Sequence, residues 1–205
     1  DMFGFGKKKN EAMLAEKYAV NMVTLSISMK NSFVQIWNSY RHIADLEAIS
    51  IEDRDMFNFF AFYNTISCRE KVFHKIDDKE ISYMFSGFCD YLYVDSFKSL
   101  GMNLPSEFSL KSHTEVLLDI SKQFTNYSKN NPKDSLFEEL TMFFVYHLKE
   151  LPQLEQHERF CSEIYPHFES LHNEGWGVIK ASKSYPVVTD SLLETYNSIK
   201  NRLPH

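Results

Sequence analysis

Met56-Phe57-Asn58-Phe59-Phe60-Ala61-Phe62-Tyr63 packs five aromatic rings into eight residues, and rings at that density must be nearly encircled by other protein. Read as one helix over residues 51 to 74, the segment has a single polar stripe on its first three turns. Asn58, Thr65 and Arg69 form it at i, i+7 and i+11, and apolar side chains fill the rest of the circumference. A strand reading fails because Phe57 and Phe59 fall on one face, Phe60 and Phe62 on the other, and the apolar run continues through Ile66, Val72 and Phe73. Ser50 followed by Asp53 reads as a capping box at the helix start. A helix that is apolar nearly all round belongs inside a bundle.

Helical signals recur on both sides of it. Glu11 to about Glu47 carries Leu14, Tyr18, Val23, Ile27, Val34, Trp37 and Ile43, either as one long helix or as two broken near Lys30-Asn31-Ser32. Asp77 with Glu80 opens a helix over Tyr83 to Leu100 that stops at Gly101, as a helix ending on glycine should. Met102 to Pro105 is a linker. Ser112 with Glu115 opens Val116 to Tyr127, with Ser106 after Pro105 an equal alternative.

Ser128-Lys129-Asn130-Asn131-Pro132-Lys133 is the clearest loop. Ser135 with Glu138 caps Leu136 to Lys149. Pro152 begins the next helix, whose apolar face is Leu154, Phe160, Cys161, Ile164, Phe168 and Leu171, with Pro166 expected to kink or divide it. After Gly175-Trp176-Gly177 the pattern is irregular through Pro186, with weak strand pairs at Val178-Ile179 and Val187-Val188. Asp190 to Arg202 makes a last short helix. No repeat of fixed period and no low-complexity tract is present.

These signals predict an all-α fold, an irregular bundle of about seven helices around an aromatic-rich core. The 18 Phe, 11 Tyr and 2 Trp of the 205 residues supply that core, since each ring buries about 150 to 250 Å². One helical domain is expected over residues 11–205, preceded by a flexible segment 1–10, with a possible subdivision near 128–133. Asp1 reads as an addition ahead of a natural start at Met2.

Three cysteines, Cys68, Cys89 and Cys161, are too far apart for a zinc ribbon and odd in number for a disulfide framework. A reducing, cytoplasmic compartment fits that usage. No uncharged apolar run approaches about 18 residues, so no transmembrane segment is expected. The stretch Tyr18 to Met29 lacks charge, but Asn21, Thr24, Ser26 and Ser28 interrupt it, and it reads as a buried helix.

Charge is unevenly placed. Asp134, Glu138, Glu139, Glu150, Glu155, Glu158, Glu163, Glu169 and Glu174 face only Lys149 and Arg159 within residues 134–174, a net of -7 in a chain whose formal charge is -6. Glu155, Glu158 and Glu169 project to one side of their helix, away from the apolar face. A single-sign face of this kind steers a basic protein partner, and as a solvated helix face it adds solubility alone. The same asymmetry argues against nucleic-acid binding, which needs a basic stripe.

Four histidines, His147, His157, His167 and His172, share the acidic segment. Glu169 and His172 make one Glu-x-x-His pair, the spacing that places a carboxylate and an imidazole on one helix face. A di-iron bundle needs a second copy, and none exists here. No metal or cofactor is therefore assigned, although Glu169 and His172, with His147 or Glu139, define an alternative in which a pocket between aromatic helices holds a metal or transfers protons.

No nucleophile motif or complete phosphate loop is present; the glycines of Phe3-Gly4-Phe5-Gly6-Lys7 lack the strand and second half such a loop requires. Phe3 and Phe5 with Lys7, Lys8 and Lys9 suit either an anionic membrane surface or a frayed terminus. Trp176 between two glycines is either packed back as a plug or offered to a partner. The leading expectation is a non-enzymatic protein-binding helical protein, in an immunity, antitoxin or adaptor role. Its contact surface comprises Glu155, Glu158, Glu169 and Trp176.

Overall fold

The computed structural model describes residues 2–71, 92–105 and 108–181, and side chains over 20–67, 92–105 and 108–181. Among the described residues all regular structure is helical: α1 (Met2–Tyr40), a 3-10 turn (Arg41–Ile43), α2 (Arg54–Lys71), α3 (92–99), α4 (Leu110–Asn130), α5 (Leu136–Phe143), a π-helical turn (Phe144–Leu148) and α6 (Glu155–Ala181). The all-α expectation holds, with six helices described where about seven were expected. The predicted cap at Asp77, Cys89, the Val187-Val188 pair and the helix Asp190 to Arg202 lie outside the described residues.

The aromatic run lies on α2, the hub of the fold. Every residue from Met56 to Tyr63 except Asn58 is buried, because each ring meets a different neighbour. Phe57 lies against Phe97 of α3 at 5.1 Å and His113 of α4 at 5.1 Å. Phe59 meets Phe144 of the π turn at 4.9 Å, and Phe60 meets Phe33 of α1 at 5.6 Å. Phe62 meets Phe124 of α4 at 5.4 Å, and Tyr63 meets Phe168 of α6 at 5.5 Å. Full burial of one such side chain stabilises the fold by about 1.5 to 3 kcal/mol, which is how this segment organises the bundle.

α2 begins on Asp53, not on a Ser50 capping box. The Asp53 carboxylate accepts the N–H groups of Asp55 and Met56, each at 3.0 Å, while Ser50 contributes only a turn through its carbonyl. An aspartate directly before the helix reaches those orphan donors itself.

α1 continues unbroken through Lys30-Asn31-Ser32 and is helical from Met2. It runs antiparallel to α6: Trp37 meets Phe160 at 4.8 Å, Phe33 meets Phe168 at 5.1 Å, and Leu25 lies against Gly175.

α3 ends as expected at Gly101, whose φ of 69° suits glycine. The N–H of Gly101 bonds to the Lys98 carbonyl and that of Met102 to Phe97, closing the helix end. α4 starts earlier than expected, because Ser109 caps it by accepting the N–H of Ser112 at 3.2 Å. α4 then runs on through Asn130, shortening the loop that precedes Ser135. Ser135 caps α5 as predicted, accepting the N–H of Phe137 at 3.1 Å.

α5 does not run on as α-helix to Lys149. It widens at Phe144 into the π turn, whose end is held by the Lys149 N–H on the Phe144 carbonyl at 2.9 Å. α6 starts at Glu155 rather than Pro152 and passes through both Pro166 and Gly175-Trp176-Gly177 to Ala181. Pro166 is exposed, so the helix bond its missing N–H forfeits lies on the solvent side, where water can satisfy the freed carbonyl. Among the described residues no helix is long and apolar enough to cross a membrane.

Candidate functional site

The acidic segment resolves into two unlike halves. On α5 the carboxylates serve the fold. Glu139 is buried and accepts the Ser128 hydroxyl and the Lys133 N–H, each at 2.8 Å. Glu138 pairs with Lys133 at 3.5 Å. The α4–α5 loop thus closes around two carboxylates, burying Glu139 and leaving Glu138 only partly exposed and already paired.

On α6 the carboxylates face outward. The apolar stripe Phe160, Cys161, Ile164 and Phe168 is fully buried, and helical spacing turns Glu155, Glu158, Glu163 and Glu174 into solvent, where all four are exposed. Among the described residues none of the four makes an ion pair. Glu155 and Glu158 also lie in the first turn, where negative charge complements the helix dipole. Glu169 is half-buried at the edge of this face and accepts the Ser135 hydroxyl at 3.4 Å.

Trp176 is 2% exposed and packs inward, 6.1 Å from the His172 ring. The flanking glycines belong to the helix: Gly175 lies against Leu25, where a Cβ would collide with the leucine methyl, and Gly177 faces open space. The tryptophan is therefore placed as a plug, and the exposed side of α6 carries the four carboxylates together with Arg159, His167 and Lys180.

The residues of the metal or proton-transfer alternative are held in separate settings. His172 is buried, with its Nδ1 against the Tyr63 hydroxyl and its ring 4.7 Å from Phe137. His147 is exposed and stacks on Phe143 at 5.2 Å. Glu139 is committed to the loop described above. His157 is a buried structural group: its Nδ1 donates to the Pro152 carbonyl at 2.7 Å, which fixes the tautomer because a carbonyl only accepts. His167 meets the Tyr40 hydroxyl at 2.9 Å. Among the described residues no three His, Cys, Asp or Glu side chains assemble into a metal-holding group.

Cys161 is buried, and that burial, helped by the Glu158 charge, pushes its thiol up to about 12. A thiol held protonated is a poor nucleophile. Burial likewise pushes the Tyr127 hydroxyl up to about 12 and raises that of Tyr146.

Two charged anchors escaped the sequence reading. Lys30 is buried on α1, and the signal for it is periodic: with Val23, Ile27, Val34 and Trp37 it completes an apolar stripe spaced four and three residues apart. Lys149 binds Asp53 at 2.5 Å and Asp55 at 3.3 Å, joining the end of the π turn to the start of α2. No local pattern marks that second pairing, which spans 96 residues.

No protein-family model, curated protein or solved structure matches the chain.

Proposed function

We propose that this chain is a non-enzymatic protein-binding module that docks a basic protein partner through the outer face of α6, with Glu155 and Glu158 as its principal contacts at the helix start, Glu163 one to two turns further along, Glu169 at its edge and Glu174 toward the far end. The observation that supports the reading is the exposure of four α6 carboxylates with no ion pair among the described residues. A predominantly acidic face left open to water, here four carboxylates against the exposed Arg159, accelerates encounter with an opposite charge and disfavours acidic competitors. An immunity, antitoxin or adaptor role in the cytoplasm suits such a face, and the odd, dispersed cysteines suit the compartment. The partner's surface is expected to be rich in Lys and Arg.

The test is charge reversal. Glu155→Lys with Glu158→Lys touches only exposed side chains, so the helical circular dichroism is expected to stay close to wild type, while the urea midpoint falls modestly because two charges that complement the helix dipole are reversed, about 0.3 to 1 kcal/mol each. Binding of the partner that co-isolates with the wild-type protein should fall by about tenfold or more at low salt, since like charge then meets like. Unchanged affinity in a folded double variant contradicts the proposal.

A further inference from the structure

α4 carries a second charged face, of the opposite sign. Its buried stripe, which includes Leu117, Phe124 and Tyr127, turns inward on α2 and α5. On the other side Lys111, Leu118, Lys122 and Lys129 follow one another at i, i+7, i+11 and i+18, a single line along the helix. All four are exposed, Leu118 by 41%. Among the described residues none of the three lysines makes an ion pair. Of the acids on α4, Asp119 is held by the Gln123 amide at 2.7 Å, and Glu115 stands at the edge of the stripe. Lys111 occupies the first turn, where the helix dipole disfavours positive charge. Helix stability therefore does not account for it.

The lysine stripe and the carboxylates of α6 match in length and register. Helical rise places Lys122 about 10.5 Å and Lys111 about 27 Å from Lys129 along α4. It places Glu163 about 12 Å and Glu174 about 28.5 Å from Glu155 along α6. Laid antiparallel, each lysine falls within about 1.5 Å of a carboxylate position along the axis. The same register sets the exposed Leu118 opposite Pro166, itself exposed between Glu163 and Glu174. Arg159 then lies opposite Thr125, flanked one turn to either side by its own Glu155 and Glu163. Within one molecule the two sets stay apart, exposed on separate helices and unpaired among the described residues.

We propose that the outer stripe of α4 is a docking surface for a second copy of this chain, with Lys111, Lys122 and Lys129 of one copy set antiparallel on Glu174, Glu163 and Glu155 of the next. The inference rests on the reading of the α6 face as a docking surface and supplies that face with one basic occupant, for which a more basic partner competes. The contact is heterologous, since different faces of the two copies meet, and each copy keeps a face on which another can add. The formal charge of -6 does not oppose it, because residues 134–174 account for that charge and the rest of the chain is close to neutral.

Sedimentation equilibrium of the full chain tests the contact. At about 0.1 M ionic strength the mean mass should rise with protein concentration, and at about 1 M, where the Debye length shrinks to about 3 Å, the protein should be a monomer. A monomer at the lower salt up to about 1 mM protein overturns the proposal without any variant, as does association that persists at the higher salt. Lys111→Glu with Lys122→Glu and Lys129→Glu should weaken self-association by about tenfold or more, and so should Glu155→Lys with Glu163→Lys and Glu174→Lys. An equimolar mixture of the two triple variants should restore it, because opposite charges then face each other again. Folded variants that stay monomeric when mixed, or a lysine variant that associates like wild type, overturn the proposal. The lysine variant keeps every α6 carboxylate, so its capture of a co-isolating basic partner should match wild type. Loss of self-association with that capture intact separates this contact from the docking reading, which fails only on the partner affinity of the Glu155→Lys, Glu158→Lys protein.

Discussion

Removing the Asp53 carboxylate breaks two connections at once, and the geometry separates their sizes. One oxygen, Oδ1, accepts the N–H groups of Asp55 and Met56 at 3.0 Å each, which is the N-cap of α2. The other, Oδ2, holds Lys149 at 2.5 Å. Loss of a cap costs about 1 kcal/mol, within a range of roughly 0.5 to 2. The ion pair is neither surface nor core, since its side chains are 18% and 21% exposed. Its worth therefore falls between the roughly 0 to 1 kcal/mol of surface pairs and the roughly 1.5 to 3 kcal/mol of hydrogen bonds to charged groups. Asp55 remains 3.3 Å from the same ammonium and softens the loss.

Asp53→Ala should thus cost about 2 to 3 kcal/mol. Asp53→Asn keeps an oxygen for the cap and loses the charge, so it should cost about 1 kcal/mol. Urea unfolding at pH 7, followed by circular dichroism, measures both. The Ala cost should shrink in high salt, which screens the pair, while the cap term persists. An Asp53→Ala cost below about 0.5 kcal/mol, or equal costs for the two variants, refutes the division into cap and clamp.

Two nearby glycines of α6 should respond differently. Gly177→Ala meets nothing and should raise stability by about 0.5 to 1 kcal/mol through helix propensity. Gly175→Ala has the same propensity gain but pushes its methyl against the far end of the half-buried Leu25 side chain, which must rearrange, so it should stabilise less than Gly177→Ala in the same urea titration; an equal or larger gain contradicts the contact. Acid sensitivity should trace partly to His113, whose burial between Phe57 and Phe108 pulls its imidazole from 6.5 down to about 4. The unfolded chain then takes up the proton first, so stability present above 6.5 is lost progressively as pH falls through 4. His113→Phe should flatten that slope between urea midpoints measured at pH 7 and 4.5; an unchanged slope contradicts the assignment.

The parts of the fold legible in the sequence are those decided by side chains within one turn. Met56 to Tyr63 announces a buried helix because no solvent-facing stripe is left for its rings. Gly101 and Ser135 announce helix ends because a positive φ and an orphan N–H each select a residue type. Features decided by distant partners were hidden. Lys30 is accommodated by Ile51 and Phe97, so α1 does not break where its sequence turns polar. The glycines around Trp176 look like a loop, yet Gly175 permits the close passage of Leu25, and the helix continues. The π turn adds one residue to a helical repeat and leaves the composition unchanged. Of the acidic segment, net charge was legible, but its division was not: Glu138 and Glu139 are claimed by Lys133 and Ser128, contacts made only once α4 and α5 meet.

Native mass spectrometry of the protein isolated gently from its source cells, at low and then high ionic strength, tests the docking proposal most directly. The account predicts added mass from a basic protein partner, lost as salt shortens the Debye length from about 10 Å at 0.1 M to about 3 Å at 1 M. A small increment matching a metal or ligand, or a second copy of the chain that survives high salt, would contradict it.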